Sequence, residues 1–245
     1  MRPLLSVRDL HIVFAAKPIL SGINVELHPG DILGVVGLRS AGKSVLLQAL
    51  AGIYPPTAGE IQVDGIPLTW AAQTAQRRGI EFVPQAPLLV EVMPVLDNIF
   101  LGRELGKWRL DPAAMVTTAY QWIERFGLPG SLAHQRASDL TEEERQLVAL
   151  IRAFVRPARL LILDEALSAL SFARQQAVLQ HLRELAAAQA GMILSSDDLN
   201  LIFAITNRVL VLYQGRQAAL RATASTTPRE IVELMVGSVR QERVT

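Results

Sequence analysis

Gly37-Leu38-Arg39-Ser40-Ala41-Gly42-Lys43-Ser44 is the stretch that decides how this chain reads. It matches G-x-x-x-x-G-K-[ST], and its flanks are the ones that pattern requires. Before it runs Ile32-Leu33-Gly34-Val35-Val36, a short apolar run of buried-strand type. After it, Val45, Leu46, Ala49 and Leu50 recur at helical spacing between Lys43 and Ala51. Gly37 and Gly42 let the backbone curl so that successive N–H groups face one point. The helix that starts there adds partial positive charge. Lys43 has the reach for the β- and γ-phosphates of a nucleotide, and the Ser44 hydroxyl is a ligand for Mg2+. The nucleotide-binding set read from this stretch is Gly37, Leu38, Arg39, Ser40, Ala41, Gly42, Lys43, Ser44 and Val45.

Further along, Leu160-Leu161-Ile162-Leu163-Asp164-Glu165 is an apolar strand that ends in two carboxylates. Alone, such a pair marks only a strand running out into solvent. Behind a phosphate loop it has a second reading. The first acid, Asp164, holds Mg2+, usually through water, and the second, Glu165, polarises the water that attacks the γ-phosphate.

The rest of the chain alternates strands and helices. Leu4 to Phe14 and Ile23 to Leu27 read as strands, with Pro29-Gly30-Asp31 as the turn before the next one. Pro55 to Gly59 is a turn, and Glu60 to Gly65 is an exposed strand ending in an Asp-Gly turn. Ile80 to Val83 and Met192 to Ser195 are short strands, and Val209 to Tyr213 with Gln217 to Leu220 form a hairpin around Gln214-Gly215. Thr141 to Phe154, Phe172 to Ala190 and Pro228 to Met235 read as helices. From about Val95 to Leu128 helical stretches are broken by Gly and Pro, which reads as an inserted helical lobe. The pattern predicts an α/β fold with a mainly parallel sheet.

Composition sets the outer limits. Half of the 245 residues are hydrophobic and 19% are charged, the profile of a folded globular chain. The 24 Lys and Arg nearly balance 23 Asp and Glu, so no electrostatic case for nucleic acid exists. No cysteine is present, which excludes disulfides and thiolate metal sites. The mean hydropathy of +0.28 is positive. Buried parallel strands and Ala/Leu-rich helices account for that, and no apolar run reaches the roughly 18 residues of a bilayer span. Met1 to Phe14 lacks the features of a signal peptide.

These motifs, and the segments between them, resemble ABC ATPases over nearly the whole chain. Gly52 to Ile61, Asp97 to Glu104 and Glu233 to Gly237 are similar to the monosaccharide-importer branch, many of whose members fuse two such domains, where this chain carries one. The resemblance implies a P-loop NTPase fold of ABC type, a mainly parallel sheet core with an N-terminal antiparallel β subdomain and an inserted helical subdomain. The expected division is a RecA-like core with its β subdomain at about 1–94 and 155–245, and a helical subdomain at about 95–154. It implies ATP and Mg2+ as ligands, and transmembrane permease subunits as partners at the cytoplasmic face of the membrane. A second ABC ATPase chain is expected, with a heterodimer favoured over a homodimer, and a solute-binding protein acts indirectly. It also assigns Gln85, in Phe82-Val83-Pro84-Gln85, to the family's Q-loop, where it contacts Mg2+ and water and links the site to the helical lobe. Residues from Gln85 to Asp97 would face the permease. Phe14 lies where the family stacks an aromatic on adenine, or is an ordinary core phenylalanine.

Two departures stand against the matches. The family signature is Leu-Ser-Gly-Gly-Gln, and here the aligned run is Leu140-Thr141-Glu142-Glu143-Glu144. Thr141-x-x-Glu144 is a capping box, but both glycines have become glutamates, which are expected to bring negative charge toward a partner's ATP. Asp197 aligns with the family's switch histidine, and an ionised aspartate cannot donate a hydrogen bond to a phosphate. The loop Ser168-Ala169-Leu170-Ser171 also lacks the usual Asp at its last position. These residues predict slow hydrolysis by the chain alone. Three readings follow: an ATP-hydrolysing subunit of an importer for a small solute such as a sugar, a weakly hydrolysing regulatory subunit of a heterodimeric pair, and a soluble ABC protein acting on translation or DNA. The first is the one the residues favour.

Overall fold

The computed structural model describes residues 2–68, 70, 75, 78–102 and 111–237; Arg103 and Glu104, which end one of the importer-like segments, lie outside them. The chain divides into two compact units, one of Met1–Phe82, Arg159–Glu165 and Arg183–Thr245, the other of Val83–Ala158 and Ala166–Leu182. The expected lobe at about 95–154 falls inside the second unit, which also takes in the segment around Gln85 and the run from Ala166 to Leu182.

Among the described residues ten strands form one sheet, in the order β5-β4-β1-β2-β10-β9-β3-β8-β7-β6. They are β1 (Leu5–Phe14), β2 (Lys17–Leu27), β3 (Ile32–Gly37), β4 (Ala58–Val63), β5 (Ile66–Pro67), β6 (Ile80–Val83), β7 (Leu160–Asp164), β8 (Gly191–Ser195), β9 (Arg208–Tyr213) and β10 (Arg216–Ala222). β1 pairs antiparallel with β2 and β4, and β4 antiparallel with β5. β3 pairs parallel with β9 and with β8, and β8 parallel with β7, while β10 pairs antiparallel with β9 and parallel with β2. Every residue of β3, β7 and β8 is buried, as expected of parallel strands, which read as continuous apolar runs.

The first unit also holds α1 (Lys43–Leu50), α6 (Leu199–Ile205) and α7 (Pro228–Met235). Its core joins Leu10, Leu20 and Ile23 of the antiparallel strands to Leu46, Leu47 and Leu50 of α1 and to Leu160, Ile162 and Ile193 of the parallel ones. α6 packs at a point where the sheet has no side chain. A Cβ at Gly34 would lie 2.9 Å from Ile202 Cγ2 and 3.1 Å from Thr206 Cγ2.

The second unit holds α2 (Val95–Phe100), α3 (Pro112–Arg125), α4 (Glu142–Phe154) and most of α5 (Phe172–Ala187). Trp122 of α3, Phe126 just after that helix and Phe154 of α4 surround the buried His181 of α5, with ring centroids 4.8, 6.3 and 4.7 Å from the imidazole, all edge to face. Asn98 of α2 is fully buried and pins the preceding loop. Its Oδ1 accepts from Val90 N–H, and its Nδ2 donates to the carbonyls of Val90, Met93 and Pro94.

α4 opens with the capping box that its sequence predicts, Thr141 and Glu144 satisfying each other's backbone N–H groups. The charge expected to project from Glu143 is corrected by the structure. Its carboxylate turns back and accepts from Ser171 N–H at 2.7 Å and Arg174 Nη1 at 2.8 Å, at the start of α5. Two of the departures from the family pattern, Glu143 and Ser171, are therefore bonded to each other. The hydrogen bonds from Ser171, and after them Arg174, hold the Glu143 carboxyl below its usual range.

Most differences from the sequence expectation are at strand and helix ends. β2 begins at Lys17 and not Ile23, because the tight turn before it uses Ala15 and Ala16 at φ of 46° and 63°, with no glycine to mark it. α5 stops at Ala187, followed by Gln189 at φ 68°. β5 and α6 have no counterpart in the sequence reading.

Two outcomes test this packing. Gly34→Ala forces its methyl onto the stiff, β-branched Ile202 and Thr206 and should destabilise by about 1–3 kcal/mol, read as a lower thermal midpoint. Glu143 titrates below its usual value in the folded chain, so its stabilisation is present above the ordinary carboxylate pKa of about 4.3 and fades as pH falls through the lowered value. In urea unfolding, Glu143→Gln should therefore be less stable than the parent chain at neutral pH, with the gap closing as pH falls below the ordinary carboxylate range.

Candidate functional site

The phosphate loop is built by a strand and a helix that meet at an angle only glycines allow. β3 ends at Gly37, where a Cβ would stand 2.6 Å from the Leu212 carbonyl of β9. α1 begins after Gly42, which has φ 101° and no room for a side chain against Leu20. Between them Ala41 N–H closes on the Leu38 carbonyl at 3.0 Å. Ser40, at the position where the family has another glycine, adopts φ 63°, a left-handed conformation that costs an L-residue about 1–2 kcal/mol. Leu38, Arg39 and Ser40 are exposed, Ala41, Gly42 and Lys43 are buried, and Ser44 and Val45 are partly buried.

A buried ammonium must be paired, and the pairing of Lys43 organises the site. Its side chain is 7% exposed. Nζ donates to the Gly37 carbonyl at 2.8 Å and to Asp197 Oδ1 at 2.6 Å, and stands 3.6 Å from Glu165 Oε1. Sheet register brings these groups together. Ser195 at the end of β8 lies opposite Val35 of β3 on one side and Asp164 of β7 on the other. The strand ends that carry Gly37, Asp164 and the segment leading to Asp197 are thereby neighbours.

Ser195 joins the two acids. Its hydroxyl donates to Asp164 Oδ1 at 2.7 Å and accepts from Glu165 N–H at 3.0 Å. The Glu165 backbone is at φ 48°, a left-handed conformation of the kind that clusters at functional sites. Sequence reasoning placed both acids but missed Ser195. The signal was present, since a serine ending an otherwise apolar strand in register with an acid is a natural hydrogen-bond partner for it.

The oxygen donors suit Mg2+. This ion takes one or two carboxylates and hydroxyls, completed by phosphate oxygens and water, and Ser44 and Asp164 are donors of that chemistry. Among the described residues no group of three or more His, Cys, Asp or Glu is assembled for a metal, and an ion held jointly with phosphates needs none.

Phe14 is 40% exposed and meets Tyr54 edge on at 5.1 Å. That overturns the ordinary-core alternative and leaves ring surface open to a ligand. Gln85 is exposed and belongs to the second unit; it is the one expected site residue outside the first. Asp197 does stand beyond β8, as the alignment expected, and the structure adds its bond to Lys43.

Comparison with known proteins agrees with this geometry. The profile of the ABC transporter family matches residues 20–168. A ribose import ATP-binding protein of Rubrobacter xylanophilus is 35% identical over 245 residues, covering 99% of this chain and 49% of that protein. A xylose import ATP-binding protein of Paraburkholderia xenovorans is 32% identical over 241 residues, covering 96% and 46%. The chain thus spans about half the length of the curated relatives it matches. A solved ATP-binding subunit of an ABC transporter superposes with a TM-score of 0.83 at 23% identity, covering 94% of this chain and 99% of that one, which shows the shared fold. A phosphate loop set between β3 and α1, an acidic strand end in register beside it and a family match over more than half its length agree: the chain belongs to the ABC transporter family, as one of its ATP-binding domains.

Proposed function

We propose that this chain binds MgATP and couples its hydrolysis to import of a small sugar through a membrane permease. The observation that carries the reading is the convergence of Lys43, Asp164 and Glu165 at the carboxyl ends of the parallel strands β3 and β7, on either side of β8. Bound Mg2+ would neutralise phosphate charge, and Ser44 and Asp164 are the residues to hold it. Lys43 takes phosphate oxygens with its ammonium donors, and the loop from Gly37 to Ser44 adds backbone N–H groups. Glu165, oriented through Ser195, is the base that polarises water. Phe14 offers its ring to the adenine, and Gln85 is the residue that the family resemblance implies for the Q-loop. The sugar follows from the ribose and xylose import proteins that the chain is similar to.

The permease reading rests on a surface. Leu88 and Val92 are 71% and 75% exposed, on the loop between Gln85 and α2. Asn98 holds this loop from one side, and Arg152 of α4 donates to the Leu88 carbonyl at 3.1 Å. Large apolar side chains presented on a fixed loop are suited to a helix from a partner. A second ATP-binding domain, different from this one, is the expected counterpart, and the chain alone is expected to turn over slowly. Its signature helix carries acids in place of glycines, with Glu142 exposed at its start.

Three variants test the proposal. Lys43→Ala should weaken MgATP binding by on the order of tenfold or more, because it removes a charged donor. Glu165→Gln should keep MgATP binding and lower turnover by about a hundredfold or more; unchanged turnover would remove Glu165 from the chemistry. Leu88→Ser combined with Val92→Ser should leave nucleotide binding intact and weaken co-purification with a permease; retained association would place the docking surface elsewhere.

A further inference from the structure

Lys43 has three N–H donors. Gly37 takes one and Asp197 takes another, at 2.8 and 2.6 Å, while Glu165 at 3.6 Å is beyond hydrogen-bond length. The third donor is the one a phosphate oxygen can take without breaking either bond. A diphosphate needs one lysine donor for its terminal phosphate. A triphosphate that engages Lys43 through both β- and γ-oxygens needs two, so the second must come from Gly37 or Asp197. The Gly37 bond is internal to the loop and buried, whereas the Asp197 side chain is 53% exposed and can turn into water. Asp197 is the partner that leaves.

We propose that Asp197 is a nucleotide-specificity residue: by holding one donor of Lys43, it lowers affinity for nucleoside triphosphates relative to diphosphates. The inference rests on the reading of the loop as a nucleotide site. Asp197 is held in place for the task. It follows Ser195 on β8, and the next residue is fixed twice, its N–H donating to Ser196 Oγ at 3.0 Å and its carboxylate capping α6 at Asn200 N–H, 2.8 Å away. Once displaced, the carboxylate remains tethered near the γ-phosphate, a like charge that a diphosphate does not meet. Both effects act against the triphosphate. Solvent screening keeps the penalty moderate, as for any half-exposed ion pair.

The test is equilibrium binding of MgADP and of the magnesium complex of AMP-PNP, a triphosphate analogue that is not hydrolysed, measured by calorimetry on the parent chain, Asp197→Asn and Asp197→Ala. Both substitutions should tighten AMP-PNP by on the order of tenfold and ADP by less than about threefold. Thermal midpoints measured alongside verify the fold, since Lys43 keeps the Gly37 carbonyl and has Glu165 close by in both variants. Equal tightening of both ligands, or no change in either, overturns the inference while leaving the nucleotide site intact. A parent chain that binds neither ligand overturns the nucleotide reading and this inference with it.

Discussion

A lysine ammonium removed from water constrains everything around it. Lys43 is buried at the start of α1 and cannot leave, because the glycines before it fix where the helix begins. Each neighbouring group takes its position from that charge. The Gly37 carbonyl turns inward, a carboxylate comes down from the segment beyond β8, and Glu165 approaches from β7. Three parallel strands with register fixed through Ser195 make the approach possible, since a slip by one residue would turn the acids to the other face.

The parts of this arrangement that were legible in the sequence are those whose signal is local. The loop announces itself through glycine spacing, β3 and β7 through unbroken apolar runs, and α4 through a threonine and a glutamate three residues apart. What stayed hidden depends on partners distant in sequence. Ser195 gains meaning only beside Asp164, and Asp197 only beside Lys43, 154 residues away. The turn at Ala15-Ala16 was hidden for another reason, since alanines there adopt a backbone that usually advertises itself with glycine or asparagine. α6 is seven residues long, too short for periodicity to declare it.

The signature region shows how a substitution can change meaning once its neighbours are seen. Read alone, Glu143 is a negative charge where the family has a glycine. In the fold it serves the residue that opens α5 and is neutralised by Arg174 one turn further on. The Ser171 N–H and the Arg174 guanidinium receive its carboxylate, so the region forms a consistent local structure.

The loop before α2 was described through the side chain that holds it. Asn98 spends its whole amide on the carbonyls and N–H of Val90, Met93 and Pro94. Ordering a free loop costs roughly 1–2 kcal/mol per residue in backbone entropy. Here that cost is met during folding and not at the moment of contact. A molecule that covers Leu88 and Val92 meets a rigid surface, and more of the apolar area it buries is retained as affinity.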